Sequence, residues 1–225
     1  MSIGRALDHV IAVAERWSSS EDRSFNGGRL ICRTPWTGSE AFLHRLYPPV
    51  SSELIATIAP ATGRQPPTDF VQLLERFNGL SLFKSLSIYG VRTSYDRSAE
   101  VMHWQPFDVG SHQFGLLDLV GRDGMVIGSV GPDVDPVAIR STVGDVARFD
   151  QKSRTVLETW SSLAEFLVSE TDRYARCFAP DGHLLPSLPE MEGSAPPWPE
   201  INWAAIKPGF GSRAWWDDLK EKFGF

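Results

Sequence analysis

The best candidate in the sequence for a pair of carboxylates that act together is Asp133 and Asp135, in a segment bounded by Pro132 and Pro136. Hydrolases that cleave glycosidic bonds use two carboxyl groups held on either side of the substrate. This pair has no convergent base or donor near it in the sequence. We therefore interpret it as a solvated turn or, if it is functional, as part of an acidic protein-binding surface.

The other residue types that could carry chemistry do not form a complete pattern. The sequence has no Gly-x-Ser-x-Gly elbow and no P-loop, and none of its five histidines pairs with another at helical spacing. Cys32 and Cys177 are too far apart for a Cys-x-x-Cys site and predict two buried thiols. The Gly-x-Gly run at Gly209 follows Pro208 rather than a strand, so it does not predict a dinucleotide site. We predict no metal, no organic cofactor and no catalytic residue.

The charge balance argues against a nucleic-acid partner and permits a basic protein partner, although on its own it also fits an ordinary soluble surface. The segment from Ser51 to Leu185 carries 17 acidic and 12 basic residues, and the whole chain has a net charge of −6. A phosphate backbone requires clustered lysine and arginine, which this balance argues against. We predict an acidic, partly aromatic binding surface that contains Tyr95, Asp96, Asp133 and Asp135.

The stretch from Pro66 to Gly90 predicts a helix, a sharp stop and a strand in succession. Its apolar side chains recur at the spacing that places them on one face of a helix, and they are Phe70, Leu73, Leu74 and Phe77. Pro67 suits the first turn, and Asp69 is favourable beside the positive end of the helix dipole. Asn78-Gly79 predicts the C-terminal cap of this helix, because glycine tolerates the left-handed conformation.

This order of residues resembles the core motif of the SUKH superfamily. The positions that match are Pro67, Asp69, Phe70, Leu73, Leu74, Phe77, Asn78, Gly79, Leu82 and Phe83. A Pro-Pro stands where the family usually has Leu-Pro, and a looser resemblance extends over residues 51–177. Members are mostly bacterial immunity proteins against polymorphic toxins, with a fungal regulator of cell-wall synthesis among them. The resemblance implies a sheet flanked by helices and stoichiometric binding of a cognate toxin, often a nuclease.

Hydrophobic patterning along the rest of the chain predicts an α+β fold with a central, mostly antiparallel sheet flanked by helices. The predicted helices are Ile3–Trp17, one or two turns within Ser39–Leu46, a short helix at Leu54–Ile58 and a helix from Leu163 that begins with a Ser162/Glu165 capping box. The predicted strands are Leu30–Cys32, Leu86–Tyr89, Val101–Trp104, Phe114–Leu119, Met125–Val130, Val137–Arg140 and Val146–Phe149.

The chain divides into a domain and a tail. Residues 1–178 are predicted to form the SUKH-like domain, with its core motif region at 51–177 and a helical extension at 1–50. Residues 179–225 are rich in proline and tryptophan. Because free tryptophans are poorly placed in water, we predict that this tail packs on the domain.

The sequence predicts a cytoplasmic protein. Charged residues interrupt the apolar positions near the N-terminus, as a signal peptide would not allow, and no window approaches 18 apolar residues. The function that these observations favour is non-enzymatic binding of a protein, without nucleic acid or membrane, by an immunity protein. Two alternatives stay open: a housekeeping regulatory adaptor, and an enzyme whose site is assembled from scattered residues. The sequence does not indicate an oligomeric state.

Overall fold

The computed structural model describes residues 1–94, 96, 98–111, 124–131, 134–140, 142–153 and 155–185. These residues form one antiparallel sheet of nine strands that lie side by side in chain order. The strands are β1 (Arg23–Phe25), β2 (Gly28–Arg33), β3 (Phe42–Leu46), β4 (Leu80–Leu82), β5 (Leu86–Ile88), β6 (Gly124–Val130), β7 (Asp135–Arg140), β8 (Val146–Phe149) and β9 (Val156–Trp160). The α+β class predicted from the sequence is therefore confirmed.

The helices are α1 (Ile3–Ala14), which continues as a 3-10 turn at Glu15–Trp17, α2 (Ser52–Ala56), α3 (Ile58–Thr62), α4 (Thr68–Arg76), α5 (Ala99–His103) and α6 (Leu163–Ala175). Helix α1 packs against both α4 and α6. Among the described residues, no helix is long and apolar enough to cross a lipid bilayer.

Two ion pairs identify the face of the sheet that the helices cover. Strand register places Arg29 and Glu158 at opposite ends of one row that crosses strands β2 to β9. Arg29 bonds Glu15 of the 3-10 turn, and Glu158 bonds Arg173 of α6. Since directly opposed residues point to the same side of a sheet, the whole row faces α6 and α1 with its 3-10 turn. The core lies between them.

The first 50 residues belong to the sheet rather than to a helical extension. They contribute α1 and also the strands β1, β2 and β3. The helical turns predicted within Ser39–Leu46 are wrong, because Phe42–Leu46 is a strand paired on both sides, by β2 and β4. Pairing with two neighbours satisfies its backbone groups, and this tertiary context overrides a weak local preference.

Two further sequence expectations differ from the structure. The strand predicted at Val101–Trp104 is helix α5, which begins where the Asp96 carboxylate accepts the N–H of Ser98. Strand β9 was not expected, because its apolar residues Val156 and Leu157 do not alternate with polar ones. The strand predicted at Phe114–Leu119 lies outside the described residues.

Helix α4 has the predicted buried face. Phe70, Leu73 and Leu74 are fully buried, Phe77 is almost so, and Asp69 lies in the first turn directly after Pro67. The predicted cap is wrong in its position, however. The helix ends at Arg76 and its C-cap is Phe77, whose φ of −143° is extended. Because Asn78 and Gly79 have tertiary partners of their own, they lead into the next strand, which starts at Leu80.

Gly79 lies at the point where the chain enters β4. Its φ of +81° is left-handed, and a Cβ there would overlap the carbonyl oxygen of Ile88 on the adjacent strand. The Gly79 carbonyl accepts the N–H of Tyr47, which extends the ladder between β3 and β4 by one bond. Both the conformation and the close approach therefore require glycine.

Part of the predicted tail packs on the sheet. The indole of Trp17 donates a hydrogen bond of 2.6 Å to the carbonyl of Ala179, and the ring of His183 stacks on Trp36. Cys32 and Cys177 are buried free thiols, as predicted. Residues 186–225, which include Trp198, Trp203, Trp215 and Trp216, lie outside the described residues.

Replacing Gly79 with alanine should lower the free energy of unfolding by more than about 3 kcal/mol, because left-handed strain of roughly 1–2 kcal/mol adds to the overlap with Ile88. Gly63→Ala is the matched control. Its φ of +71° is similar, but no heavy atom lies within 4 Å of the added Cβ, so we expect a loss of only about 1 kcal/mol. Urea denaturation measures both, and equal losses would show that the close approach at Gly79 is unimportant.

Candidate functional site

Asp135 does not belong to an exposed acidic loop. It is the first residue of β7, only 5% exposed, and its carboxylate accepts hydrogen bonds from Nε and Nη2 of Arg148 at 3.0 and 2.6 Å. The predicted role of Asp135 at a protein-binding surface is therefore wrong. The sequence could not show this pairing, because the partner lies 13 residues away on the neighbouring strand.

Of the other three residues predicted for the binding surface, the structure describes only Asp96. Asp96 is exposed, and its carboxylate holds the start of α5 by accepting the N–H and hydroxyl of Ser98 at 2.9 and 3.1 Å. Tyr95 and Asp133 lie outside the described residues. Asp96 therefore remains a candidate for the binding surface.

Large apolar side chains are exposed on the segment that follows Asp96. Met102 on α5 is 41% exposed, and Phe107 just after the helix is 58% exposed. Phe25 of β1, which is 52% exposed, lies 5.7 Å from the ring of Trp104 between ring centres. We call Phe25, Asp96, Met102, Trp104 and Phe107 the α5 surface.

The side chain of Asn78 holds this segment against the sheet. Its Oδ1 accepts the N–H of Val91 and its Nδ2 donates to the carbonyl of Val91, both at 2.7 Å. Asn78 is only 3% exposed, so these bonds are shielded from water. The Asn side chain thus takes the place of a strand backbone and fixes the point where the chain leaves β5.

Backbone hydrogen bonds connect the chain after Asn78's partner Val91 to the segment that carries the α5 surface. Gly90 donates to the carbonyl of Phe107 at 2.9 Å, and Val109 donates to the carbonyl of Gly90 at 2.8 Å. Between these points, the side chain of Gln105 bonds both the N–H and the hydroxyl of Thr93. The segment that carries Met102 and Phe107 is therefore tied at both ends to the chain leaving β5.

Beneath α6 the protein buries a group of charges that the sequence analysis missed. Glu170 is fully buried, and its carboxylate lies 2.9 Å from Nη2 of Arg173, which also bonds Glu158 of β9. The spacing of Glu170 and Arg173 on one helix face is the only sequence signal for this group. Burial raises the pKa of the Glu170 carboxyl to about 7, against the opposing charges of Arg173 and Arg148.

A buried carboxyl that titrates near neutrality is the type of group that can act as a general acid or base. Here the neighbours of Glu170 are structural ion pairs, Arg173 with Glu158 and Arg148 with Asp135. Within the described residues, no group of three or more His, Cys, Asp or Glu side chains is placed to hold a metal ion. The arrangement therefore explains a pH dependence of stability more directly than a reaction.

Comparison with known proteins adds no relatives. No family model matches the chain, and no curated protein is significantly similar to it. The described residues thus define an α+β protein with a nine-stranded antiparallel sheet and an exposed apolar surface at α5.

Glu170→Gln should flatten the dependence of stability on pH. The pKa of Glu170 rises from 4.5 unfolded to about 7 folded. The contribution that the neutral Glu170 carboxyl makes to the stability of the fold is therefore fully present below pH 4.5 and is lost as the pH rises through 7. The loss amounts to about 3 kcal/mol. Chemical denaturation at pH 5 and pH 8 should show this difference shrinking in the variant.

The exposed residue Glu75 provides the control for this measurement. Glu75→Gln should retain the pH dependence of the unmodified protein. If Glu170→Gln also retained this pH dependence, Glu170 would be ionised throughout the range. Other interactions would then offset the cost of burying its charge.

Proposed function

We propose that this protein is a non-enzymatic protein-binding module, and that it neutralises a cognate bacterial toxin by stoichiometric binding. The observation that carries the proposal is the α5 surface, where aromatic and apolar side chains are exposed on a segment fixed by buried hydrogen bonds. The resemblance of the stretch around Asn78-Gly79 to the SUKH core motif supplies the class of partner. No catalysis is invoked.

The chemistry of the α5 surface suits protein recognition. Exposed clusters of large apolar side chains lower solubility and mark interaction sites when they are contiguous. Aromatic and methionine side chains are enriched in the buried centres of protein interfaces. Phe107 is positioned by an edge-to-face contact with Tyr89, with ring centres 6.0 Å apart. A side chain held in this way loses little conformational entropy when a partner covers it.

Charge supports a basic partner. The chain has a net charge of −6, and Asp96 adds an exposed carboxylate just before α5. Complementary charge at the rim of an interface accelerates association more than it strengthens the complex. Asp135 does not contribute, since it is neutralised by Arg148 in the interior.

Phe107→Ser should abolish neutralisation of the toxin while leaving the fold intact. The toxin-like product of the adjacent gene is co-expressed with each variant, and growth is scored. Purified proteins then give the dissociation constant. Truncating a central aromatic residue typically costs 2 kcal/mol or more, so we expect affinity to fall by roughly 30-fold or more.

Val143→Ser is the matched control. Val143 is 65% exposed, and it lies in the turn between β7 and β8 rather than on the α5 surface. The Val143→Ser variant should therefore rescue growth as well as the unmodified protein does. Full rescue by Phe107→Ser, with unchanged affinity, would remove the α5 surface from the interface. Turnover of a substrate by the isolated protein would overturn the binding-module proposal itself.

A further inference from the structure

The two edges of the nine-stranded sheet differ in how well they are protected. Strand β1 is three residues long, and its first residue, Arg23, forms an ion pair with Glu40. Short edge strands that carry charged side chains resist pairing with another chain. Strand β9 is five residues long and contains no lysine, arginine or proline. In the described part of the chain no strand lies on its outer side, so this edge is open.

The exposed side chains at the start of β9 are apolar. Val156 and Leu157 are both exposed, and Leu157 is the extra residue of a bulge in the pairing with β8. The one charged residue of the strand, Glu158, faces α6, where its carboxylate accepts two hydrogen bonds from Arg173. This ion pair keeps an unpaired charge off the edge. Edges of this kind can be extended by a further strand.

Beyond the bulge, β9 is a regular strand. Glu158, Thr159 and Trp160 pair one to one with residues of β8. In an antiparallel ladder, successive residues direct their backbone groups alternately to the two sides of the strand. On an edge strand, the groups on the outer side have no ladder partner. The partner that satisfies such a row of N–H and C=O groups is another extended chain.

The charges at the two ends of β9 favour a second copy of the same strand. Lys152 is exposed in the turn before the strand, and Glu165 is exposed in the first turn of α6, which follows it. When two identical strands pair antiparallel about a two-fold axis, the residues before one strand lie at the same end as the residues after the other. Lys152 of each copy is then on the same side as Glu165 of the other. A parallel arrangement would bring like charges together.

We propose that β9 pairs with β9 of a second copy of this chain, in antiparallel orientation about a two-fold axis. The two sheets then form one continuous sheet, in which Val156 and Leu157 of each copy are covered by the other. Phe25 of the α5 surface lies on β1, at the opposite edge of the sheet. The dimer leaves that edge of both copies accessible, so the inference is independent of the proposed toxin binding.

Sedimentation equilibrium of the full-length protein over a wide range of concentrations tests this proposal. The unmodified protein should show a reversible equilibrium between monomer and dimer. Leu157→Lys places a charge on the edge of both copies and removes apolar contact. The dissociation constant of the dimer should therefore rise by roughly tenfold or more. Leu54→Lys is the matched control, because Leu54 is exposed on α2 and its replacement should leave the dimer unchanged.

A second measurement gives the direction of pairing without any variant. In a sample that mixes isotope-labelled and unlabelled protein, filtered NOEs should connect the backbone at the start of β9 in one copy with the backbone at its end in the other. A protein that stays monomeric at every concentration, or a dimer that Leu157→Lys leaves unchanged, would overturn the proposal. So would NOEs from residues 186–225 of the same molecule to Val156 and Leu157, because the chain's own tail would then occupy the edge.

Discussion

The pair of hydrogen bonds between the Asn78 side chain and the backbone of Val91 is the constraint on which the position of the α5 surface depends. Asn78 stands where α4, the β3–β4 ladder and the chain leaving β5 meet, and its own N–H bonds the carbonyl of Tyr47. Leaving such a buried amide unsatisfied costs about 1–3 kcal/mol for each group. One side chain therefore fixes both the entry to the central strands and the exit toward α5.

Gly79 and Gly90 complete this junction by allowing close contact. A Cβ on Gly79 would overlap Ile88, and one on Gly90 would overlap the backbone and side chain of Asn78. The Asn-Gly pair thus acts through tertiary contacts, although its position just after an amphipathic helix predicts a cap. Sequence patterns identify the residues correctly here, but they cannot distinguish a local hydrogen bond from one formed with a segment 13 residues away.

The same limit explains which parts of the site sequence reasoning could predict. The apolar face of α4 follows from helical periodicity, and the strands β6, β7 and β8 follow from short apolar runs, and both signals are local. The burial of Asp135 depends on Arg148 across a strand pair, and the strand at Phe42–Leu46 depends on two neighbours. The exposure of Phe107 and Met102 is equally non-local, because it results from the way the segment after Val91 is tied down.

The described charges include one buried group and one exposed carboxylate, which have different consequences. Asp135, Arg148, Glu158, Glu170 and Arg173 are enclosed between β7–β9 and α6, where they set the response of stability to pH. Asp96 is exposed just before α5, the helix that carries the exposed side chain of Met102. The proposed recognition therefore involves Asp96 and the apolar side chains of the α5 surface.

Amide hydrogen exchange of Asn78→Ala tests most directly whether this one side chain holds the proposed binding surface in place. The account predicts that the amides of Gly90, Val91 and Val109 lose protection, while those in β6 to β8 exchange at rates close to those of the unmodified protein. Unchanged protection at Val91 and Val109 would contradict it. So would an equal loss throughout the sheet, because Asn78 would then support the fold as a whole rather than the segment that carries the α5 surface.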